Sequence, residues 1–245
     1  MPHFPLWLHC LSIASIALGV LCALFIVFDE VRRPQSMWIM NCVWPLMALF
    51  AGVFGVAFYW RWARTDDAMP ETGAKHSSDK RHAGANPWVA SIAKATTHCG
   101  AGCTLGDIIA EWTAFLFPVV VVAFGWKTLF AEKMFAVWLF DFLLAFLLGI
   151  AFQYFTIQLM RHLPVGEGIL AAMKADAASI TAWQIGMYGM MAVAQFLWFA
   201  KAYGGPATAD SPEFWFVMQL AMLCGFVTSF PANALLIKFG LKEAM

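Results

Sequence analysis

The sequence predicts an all-α, polytopic integral membrane protein with about six transmembrane helices. The 245-residue chain is 62% hydrophobic and 12% charged, with a mean hydropathy of +0.71, whereas a soluble domain carries roughly a quarter charged residues. Six apolar stretches also approach the ~20 residues that a helix needs to cross a bilayer. The formal net charge is zero, which argues against a nucleic-acid partner because phosphate binding needs a basic surplus.

Two of the predicted spans precede a polar stretch. The first, residues 6–28, is interpreted as a retained helix, because it lacks the basic start of a signal peptide and its apolar run is too long for one. The second, residues 37–60, contains Pro45, which is expected to kink it. Residues 1–64 therefore predict an N-terminal two-helix membrane unit, followed by a polar linker at residues 65–87.

The rest of the chain, residues 88–245, predicts a four-helix membrane domain. A short interfacial helix is expected within residues 163–179, where Pro164 and Gly166 precede residues that favour helix. The four spans of this domain are expected at residues 104–126, 134–160, 181–202 and 213–238.

The placement of basic residues predicts the orientation of the chain. With six spans, 10 of the 15 Lys and Arg residues fall on the side that holds both termini, and 5 fall on the other. The positive-inside rule then places both termini in the cytoplasm of a multi-pass protein in the inner, cytoplasmic membrane. Thiols on the cytoplasmic side would stay reduced.

One segment concentrates reactive side chains at the predicted start of the third span. Residues 98–107 read HCGAGCTLGD, and Cys99, Cys103, Asp107 and Glu111 follow one another at intervals of four. In a helix this spacing turns each side chain only about 40° from the last, so the four share one stripe. Carboxylates near a bilayer are costly and are expected to face protein, water or a cation rather than lipid.

A metal site is the first interpretation of this segment. Thiolates suit copper and zinc, and His98 would add an imidazole to Cys99 and Cys103. A helix N-terminus at the cytoplasmic mouth of the span would also favour the thiolate form. We therefore expect a protein that binds a soft transition metal, copper first and zinc second, for metal handling or transport. Asp107 and Glu111 are expected to support the ligands or to begin an ion or proton path.

Two alternatives stay open for the same segment. One is a membrane-embedded oxidoreductase that uses the metal or the thiol pair, although two Cys residues four apart in a helix lie near the upper limit of disulfide reach. The other is a structural or assembly subunit of a membrane complex, and partners beyond the bilayer and the metal ion, whether a second copy or another membrane protein, stay open with it. Gly102, Gly106 and Ala110 also predict a small-residue ridge for close helix packing, which needs no ligand.

Further polar residues are expected at the same depth. In an antiparallel bundle the cytoplasmic halves of the later spans supply Gln153, Gln184, Tyr188 and Asn233, which either bond neighbouring helices or line a polar cavity beneath the Cys-His segment. Asp141 lies nearer the opposite side of the membrane. It is expected to pair with Lys127 or Lys133, or to mark the outer part of a pathway.

The segment resembles the hallmark of a bacterial membrane-protein family, domain of unknown function 4396. The resemblance covers about residues 87–245 and implies a four-helix membrane domain, but no activity. Residues 1–86 fall outside it, which would make the first two helices an accessory feature. The matching motifs are HCGAGCTLGD at 98–107 with Glu111-Trp112, GIAFQYF at 149–155, KAD at 174–176, WQIGMY at 183–188 and TSFPAN at 228–233.

Overall fold

The computed structural model describes residues 2–35, 37–63, 87–161 and 163–242. The predicted linker, residues 65–87, lies outside these ranges except for its last position. The described residues form helices and contain no β-strand, which confirms the all-α prediction. The helices are α1 (Leu6–Arg32), α2 (Met40–Trp62), α3 (Pro87–Leu116), α4 (Pro118–Ala123), α5 (Lys133–Arg161), α6 (Val165–Ala192), α7 (Ala200–Tyr203) and α8 (Pro212–Lys238), with a π-helical segment, Val193–Phe199, between α6 and α7.

Four helices are long and apolar enough to cross a membrane. They are α1, α2, the part of α5 from Lys133 to Gln158, and α8. Their outward faces carry large apolar side chains, such as Leu24 at 59% exposure and Val227 at 68%, which suit a lipid environment better than water. The chain thus has the features of a multi-pass membrane protein. Helices α3 and α6, which contain the first parts of the predicted third and fifth spans, are less apolar than these four.

Helix α3 begins and ends earlier than the predicted third span. It starts at Pro87, where a proline suits the first helical position because its missing N–H has no partner there in any case. It stops before Phe117, which precedes Pro118 and adopts a non-helical backbone (φ −128°, ψ 69°). The Cys-His segment therefore lies in the middle of a 30-residue helix, and the expectation that it sits at a helix N-terminus is wrong.

Helix α6 includes most residues of the predicted interfacial helix. It runs without interruption from Val165 to Ala192, continues through the π-helical segment, and ends after α7 at Gly204. Gly204 adopts the left-handed conformation (φ 83°) that commonly terminates helices. The prediction of a separate short helix at residues 163–179 is therefore wrong, because no proline follows Pro164 before Gly204 to interrupt the helix.

The kink of α2 lies at Gly52. The backbone of Gly52 (φ 53°, ψ −129°) is non-helical inside the helix. Pro45, the expected kink site, lies in the same helix before this kink. Glycine tolerates this positive φ because it has no Cβ.

Helix α3 occupies the centre of the bundle, in contact with α2, α5, α6 and α8. Ala101 on one face of the helix, and Cys103 and Ala110 on the opposite face, are all fully buried. Residues 91–108 of this helix include no exposed side chain, so this part does not need the hydropathy of a lipid-facing span. The two N-terminal helices pack on each other, and both also contact α8.

Candidate functional site

The buried stripe of α3 is the centre of the candidate site. Cys99, Cys103 and Asp107 are 0% exposed, and Glu111 is partly buried. With a rise of about 1.5 Å per residue, the stripe extends about 18 Å along the helix. The hydroxyls of Thr96, Thr97 and Thr104 donate to backbone carbonyls one turn earlier in the same helix, so the polar threonines need no partner from another helix.

The thiols of Cys99 and Cys103 form a neighbouring pair in this stripe. They lie one turn apart on the same helix face, and both are free rather than joined in a disulfide. The hydroxyl of Ser179 on α6 donates to Cys99 Sγ over 3.4 Å. This hydroxyl is thus a polar contact of α6 with the thiol pair, and cysteine sulfur binds metal as the thiolate.

The imidazole of His98 faces away from the thiols, toward α5. Its Nε2 lies 2.8 Å from Thr156 Oγ1, and its ring meets Phe152 edge to face. Consecutive residues of a helix differ in direction by about 100°, which is why His98 and Cys99 meet different neighbours. Among the described residues no three His, Cys, Asp or Glu side chains gather as a metal-binding group. The structure therefore brings the two cysteines together but not the third expected ligand.

Carboxyl groups continue the stripe toward the other end of α3. Asp107 lies near Asp141 of α5, close enough for the two to share a hydrogen bond when one carries a proton. Asp141, 2% exposed, accepts the hydroxyl proton of Tyr188 over 2.9 Å, and Tyr188 also lies within 2.9 Å of the Trp138 carbonyl. Asp141 thus lies beside the α3 stripe, and its hydrogen bond comes from Tyr188 rather than from either expected lysine.

Glu111 lies where the stripe meets a cavity. This cavity of about 150 Å³ is bounded by α3, α5, the π-helical segment and the loop before α8. Glu132 and Lys133 line it together with Glu111, and Lys133 Nζ donates to the Ala114 carbonyl over 2.8 Å. The outer cavity, as we call it, thus gives the carboxyl end of the stripe access to space that water or ions can enter.

A buried ion pair lies at the thiol end of the stripe. Lys242 Nζ contacts Asp176 Oδ1 at 2.5 Å, and both side chains are 0% exposed. The Ser179 hydroxyl lies 3.2 Å from the same oxygen, so it can donate its single proton either to Asp176 or to Cys99. The sequence analysis missed this pair. Asp176 falls in the KAD motif, but nothing in the sequence marks Lys242 as buried.

Other predicted polar residues surround this end. Asn233 donates to the carbonyl and the hydroxyl of Ser229, and Ser229 donates to the Ser179 carbonyl. Gln153 lines a cavity of about 180 Å³ beside Lys242. Gln184 is 2% exposed, and neither polar atom of its side chain meets a hydrogen-bond partner in the described part of the chain.

The glycines of the segment lie against neighbouring helices. A Cβ on Gly102 would approach Gly149 Cα to 2.9 Å, and one on Gly106 would approach Ala145 Cα to 2.9 Å. Real Cβ atoms essentially never come this close to backbone. Both glycines thus allow the close approach of α3 and α5, and Ala110 beyond them is fully buried. This approach brings Asp107 and Asp141 together.

Comparison with known proteins gives one match. No curated protein and no solved structure matches the chain. The model of the family Domain of unknown function (DUF4396) matches residues 88–242, which is more than half of the chain and includes the whole stripe of α3 and the ion pair. The chain therefore belongs to the family Domain of unknown function (DUF4396).

Proposed function

We propose that the protein binds a soft transition metal ion at Cys99 and Cys103 and passes it along the carboxyl stripe of α3. The observation that carries this proposal is the pair of free, fully buried thiols on one helix face, with a hydroxyl donor at Cys99. Soft thiolates select Cu(I) and zinc over harder cations. The carboxyl groups beyond them continue toward the outer cavity.

Copper fits this pair better than zinc. Structural zinc sites almost always have four ligands, whereas the described residues gather two thiols and no third ligating side chain at this point. His98 engages Thr156 instead. A site of low coordination number with only sulfur ligands matches Cu(I) more closely, although His98 could join it by a rotation of its side chain.

A six-span arrangement is part of the proposal. Although α3 and α6 are less apolar than the other long helices, residues 91–108 of α3 include no exposed side chain and therefore need no lipid-compatible surface. With both termini in the cytoplasm of a bacterial inner membrane, the end with Lys242 would face the cytoplasm and the outer cavity would face the opposite side. The stripe would then join the two sides.

Metal analysis of the purified protein tests the binding step. Protein prepared without chelator is expected to carry about one copper ion per chain, as the single thiol pair of this soft-metal site implies. The double variant Cys99→Ala, Cys103→Ala is expected to lose it, measured by elemental analysis against protein concentration. The matched control is Cys22→Ala, Cys224→Ala, which removes two thiols of other helices and should keep the metal. Wild-type protein without copper or zinc would overturn the proposal.

Metal movement through reconstituted vesicles tests the path. Glu111→Gln removes the carboxyl group of the stripe at the outer cavity and leaves the thiols in place. We expect full metal content but an uptake rate lower by about tenfold, the effect of about 1.4 kcal/mol on a barrier. Glu167→Gln, at an exposed carboxylate of α6, is the control and should keep the wild-type rate.

Two results of these vesicle assays would contradict the path. One is an unchanged rate in Glu111→Gln, and the other is no copper movement by metal-loaded wild-type protein. A reversible disulfide between Cys99 and Cys103 during turnover would favour the oxidoreductase alternative.

A further inference from the structure

The chain after α8 forms an exposed strap with one buried side chain. Phe239, Gly240 and Leu241 are exposed, whereas the side chain of Lys242 is 0% exposed. Gly240 turns the backbone at a φ of 69°, and the amides of Leu241 and Lys242 both bond back to the Leu236 carbonyl. The ammonium group of Lys242 is thus the polar attachment of the strap, residues 239–242, to α6.

This ammonium group is the outermost member of a series of contacts that leads to the thiols. Lys242 Nζ lies 2.5 Å from Asp176 Oδ1, and that oxygen lies 3.2 Å from Ser179 Oγ. Ser179 Oγ in turn lies 3.4 Å from Cys99 Sγ. Since Cys99 is 0% exposed, a metal ion from water cannot reach its sulfur unless part of the protein moves.

Water can approach the outer end of this series. The cavity of about 180 Å³ beside Lys242 lies between α5, α6 and the strap, and we call it the strap cavity. Lys174, Gly240 and Leu241 on its lining are exposed, so the cavity opens to the protein surface. Its volume holds several water molecules, each of which needs about 10–15 Å³ of such space. Lys242 therefore separates this cavity from the contacts that lead to the thiols.

The surroundings of the ammonium group resemble a cation site. An ammonium has three donors, and its hydrogen bond in the described part of the chain goes to Asp176 Oδ1. Asp176 Oδ2, Gln153 Oε1 and Asn233 Oδ1 are buried acceptors that have no partner there. Gln153 lines the strap cavity. Asn233 reaches the level of Asp176, because Ser229, one turn earlier in the antiparallel α8, donates to the Ser179 carbonyl.

We propose that Lys242 is a plug in the entrance to the thiols, and that metal enters from the cytoplasmic side when the strap lifts this lysine off Asp176. The ammonium group carries the same single positive charge as Cu(I), and it occupies the carboxylate at which an incoming ion would first arrive. Its withdrawal opens Asp176 to the strap cavity, and the ion passes from there by Ser179 to Cys99. The inference rests on the proposed function for what enters. It concerns the rate of entry and not the affinity of the thiols.

Alkylation of the full chain in nanodiscs tests the plug without any metal. Iodoacetamide modifies thiols that water reaches, and peptide mass spectrometry gives the rate at each cysteine. Cys99 should react slowly in the wild type because it is fully buried. Gly240→Val should raise this rate by about tenfold or more, since a β-branched residue is strained at positive φ and the strap then opens more often. A Cβ at Gly240 meets no atom within 4 Å, so the change acts through the backbone turn.

A second variant removes the attachment of the strap itself. Asp176→Asn, Lys242→Met leaves no unpaired charge, and the strap without its ion pair should expose Cys99 to a similar degree. If one of the two variants does not fold, the other decides.

Matched controls separate the plug from general loosening of the protein. Gly240→Asn keeps the turn, because asparagine tolerates the left-handed region, and Lys238→Met removes an exposed lysine of α8; both should keep the wild-type rate at Cys99. Cys22, buried in α1, should react at its wild-type rate in every variant. An unchanged Cys99 rate in folded Gly240→Val, or an equal rise at Cys22, would overturn the inference.

Copper loading distinguishes failure of this inference from failure of the proposed function. If the wild type binds copper, Gly240→Val should load about tenfold faster to the same final content, in parallel with its alkylation. An unchanged loading rate would overturn the plug. If the wild type binds no copper, the proposed function fails, while the alkylation rates still decide whether the strap closes access to the thiols.

Discussion

Adding one methyl group at each of Gly102 and Gly106 is expected to destabilise the protein, whereas the same change at Gly166 and Gly189 should not. In Gly102→Ala, Gly106→Ala each new Cβ would meet the backbone of α5 within 3 Å, and backbone cannot move aside as a flexible side chain can. Overpacking costs about 1–3 kcal/mol per site, while alanine regains about 1 kcal/mol of helix propensity. The net loss in unfolding free energy is then up to about 2 kcal/mol per site.

The control for this pair is Gly166→Ala, Gly189→Ala in α6. A Cβ at either position meets no atom within 4 Å, so alanine should leave stability unchanged or raise it. Thermal unfolding in detergent, followed by circular dichroism, compares both pairs with the wild type. The two double variants should shift the midpoint in opposite directions. Equal shifts would show that α3 and α5 do not pack closely at these glycines.

The membrane class and the helical fold could be predicted from the sequence because composition decides both. Long apolar runs bounded by charged residues, as in α1 and α8, mark their own ends. Helix α3 does not follow this rule because protein surrounds residues 91–108. Its apolar run begins at residue 104, whereas the helix begins at Pro87 and includes Thr96, Thr97 and His98 as buried residues. Polar residues of this kind indicate a loop only if every membrane helix is assumed to face lipid.

Only the part of the candidate site that lies on a single helix could be predicted from the sequence. The spacing of Cys99, Cys103, Asp107 and Glu111 indicates a common face, because helix geometry is local. Contacts between residues of different helices leave no such spacing pattern in the sequence. His9 of α1 had no evident partner in the sequence, yet its Nδ1 lies 2.7 Å from Glu213 Oε1 of α8. These partners are 204 positions apart, and only the packing of α1 on α8 joins them.

The ion pair of Asp176 and Lys242 illustrates the same limit and gives the second large expected effect. After α8 the chain turns at Gly240 (φ 69°), and the amide of Lys242 bonds back to the Leu236 carbonyl. This turn carries the lysine into the protein beside α6. Lys242→Met should destabilise the protein by about 3–5 kcal/mol, because it leaves the Asp176 carboxylate buried without its cation. Asp176→Asn should cost a similar amount by stranding the ammonium group.

A double-mutant cycle distinguishes loss of the pair from loss of packing. In Asp176→Asn, Lys242→Met no charge is left unpaired, so the double variant should be more stable than either single variant. Lys174→Met, at an exposed lysine of the same helix as Asp176, controls for the methionine and should change stability little. Unfolding in detergent measures all four proteins, and purely additive effects would refute a buried ion pair.

The same cycle also connects the ion pair to the thiols. While Lys242 is present, the Ser179 hydroxyl can donate to Cys99 because the ammonium group already satisfies Asp176 Oδ1. Without the ammonium, that carboxylate competes for the single proton of Ser179, and Cys99 Sγ loses its donor. Copper affinity should therefore fall in Lys242→Met and recover when Asp176→Asn is added, since an amide competes less strongly than a carboxylate. The affinities are compared at a temperature where all variants are folded. If copper affinity only follows stability and does not recover in the double variant, the ion pair holds the chain end and has no influence on the thiols.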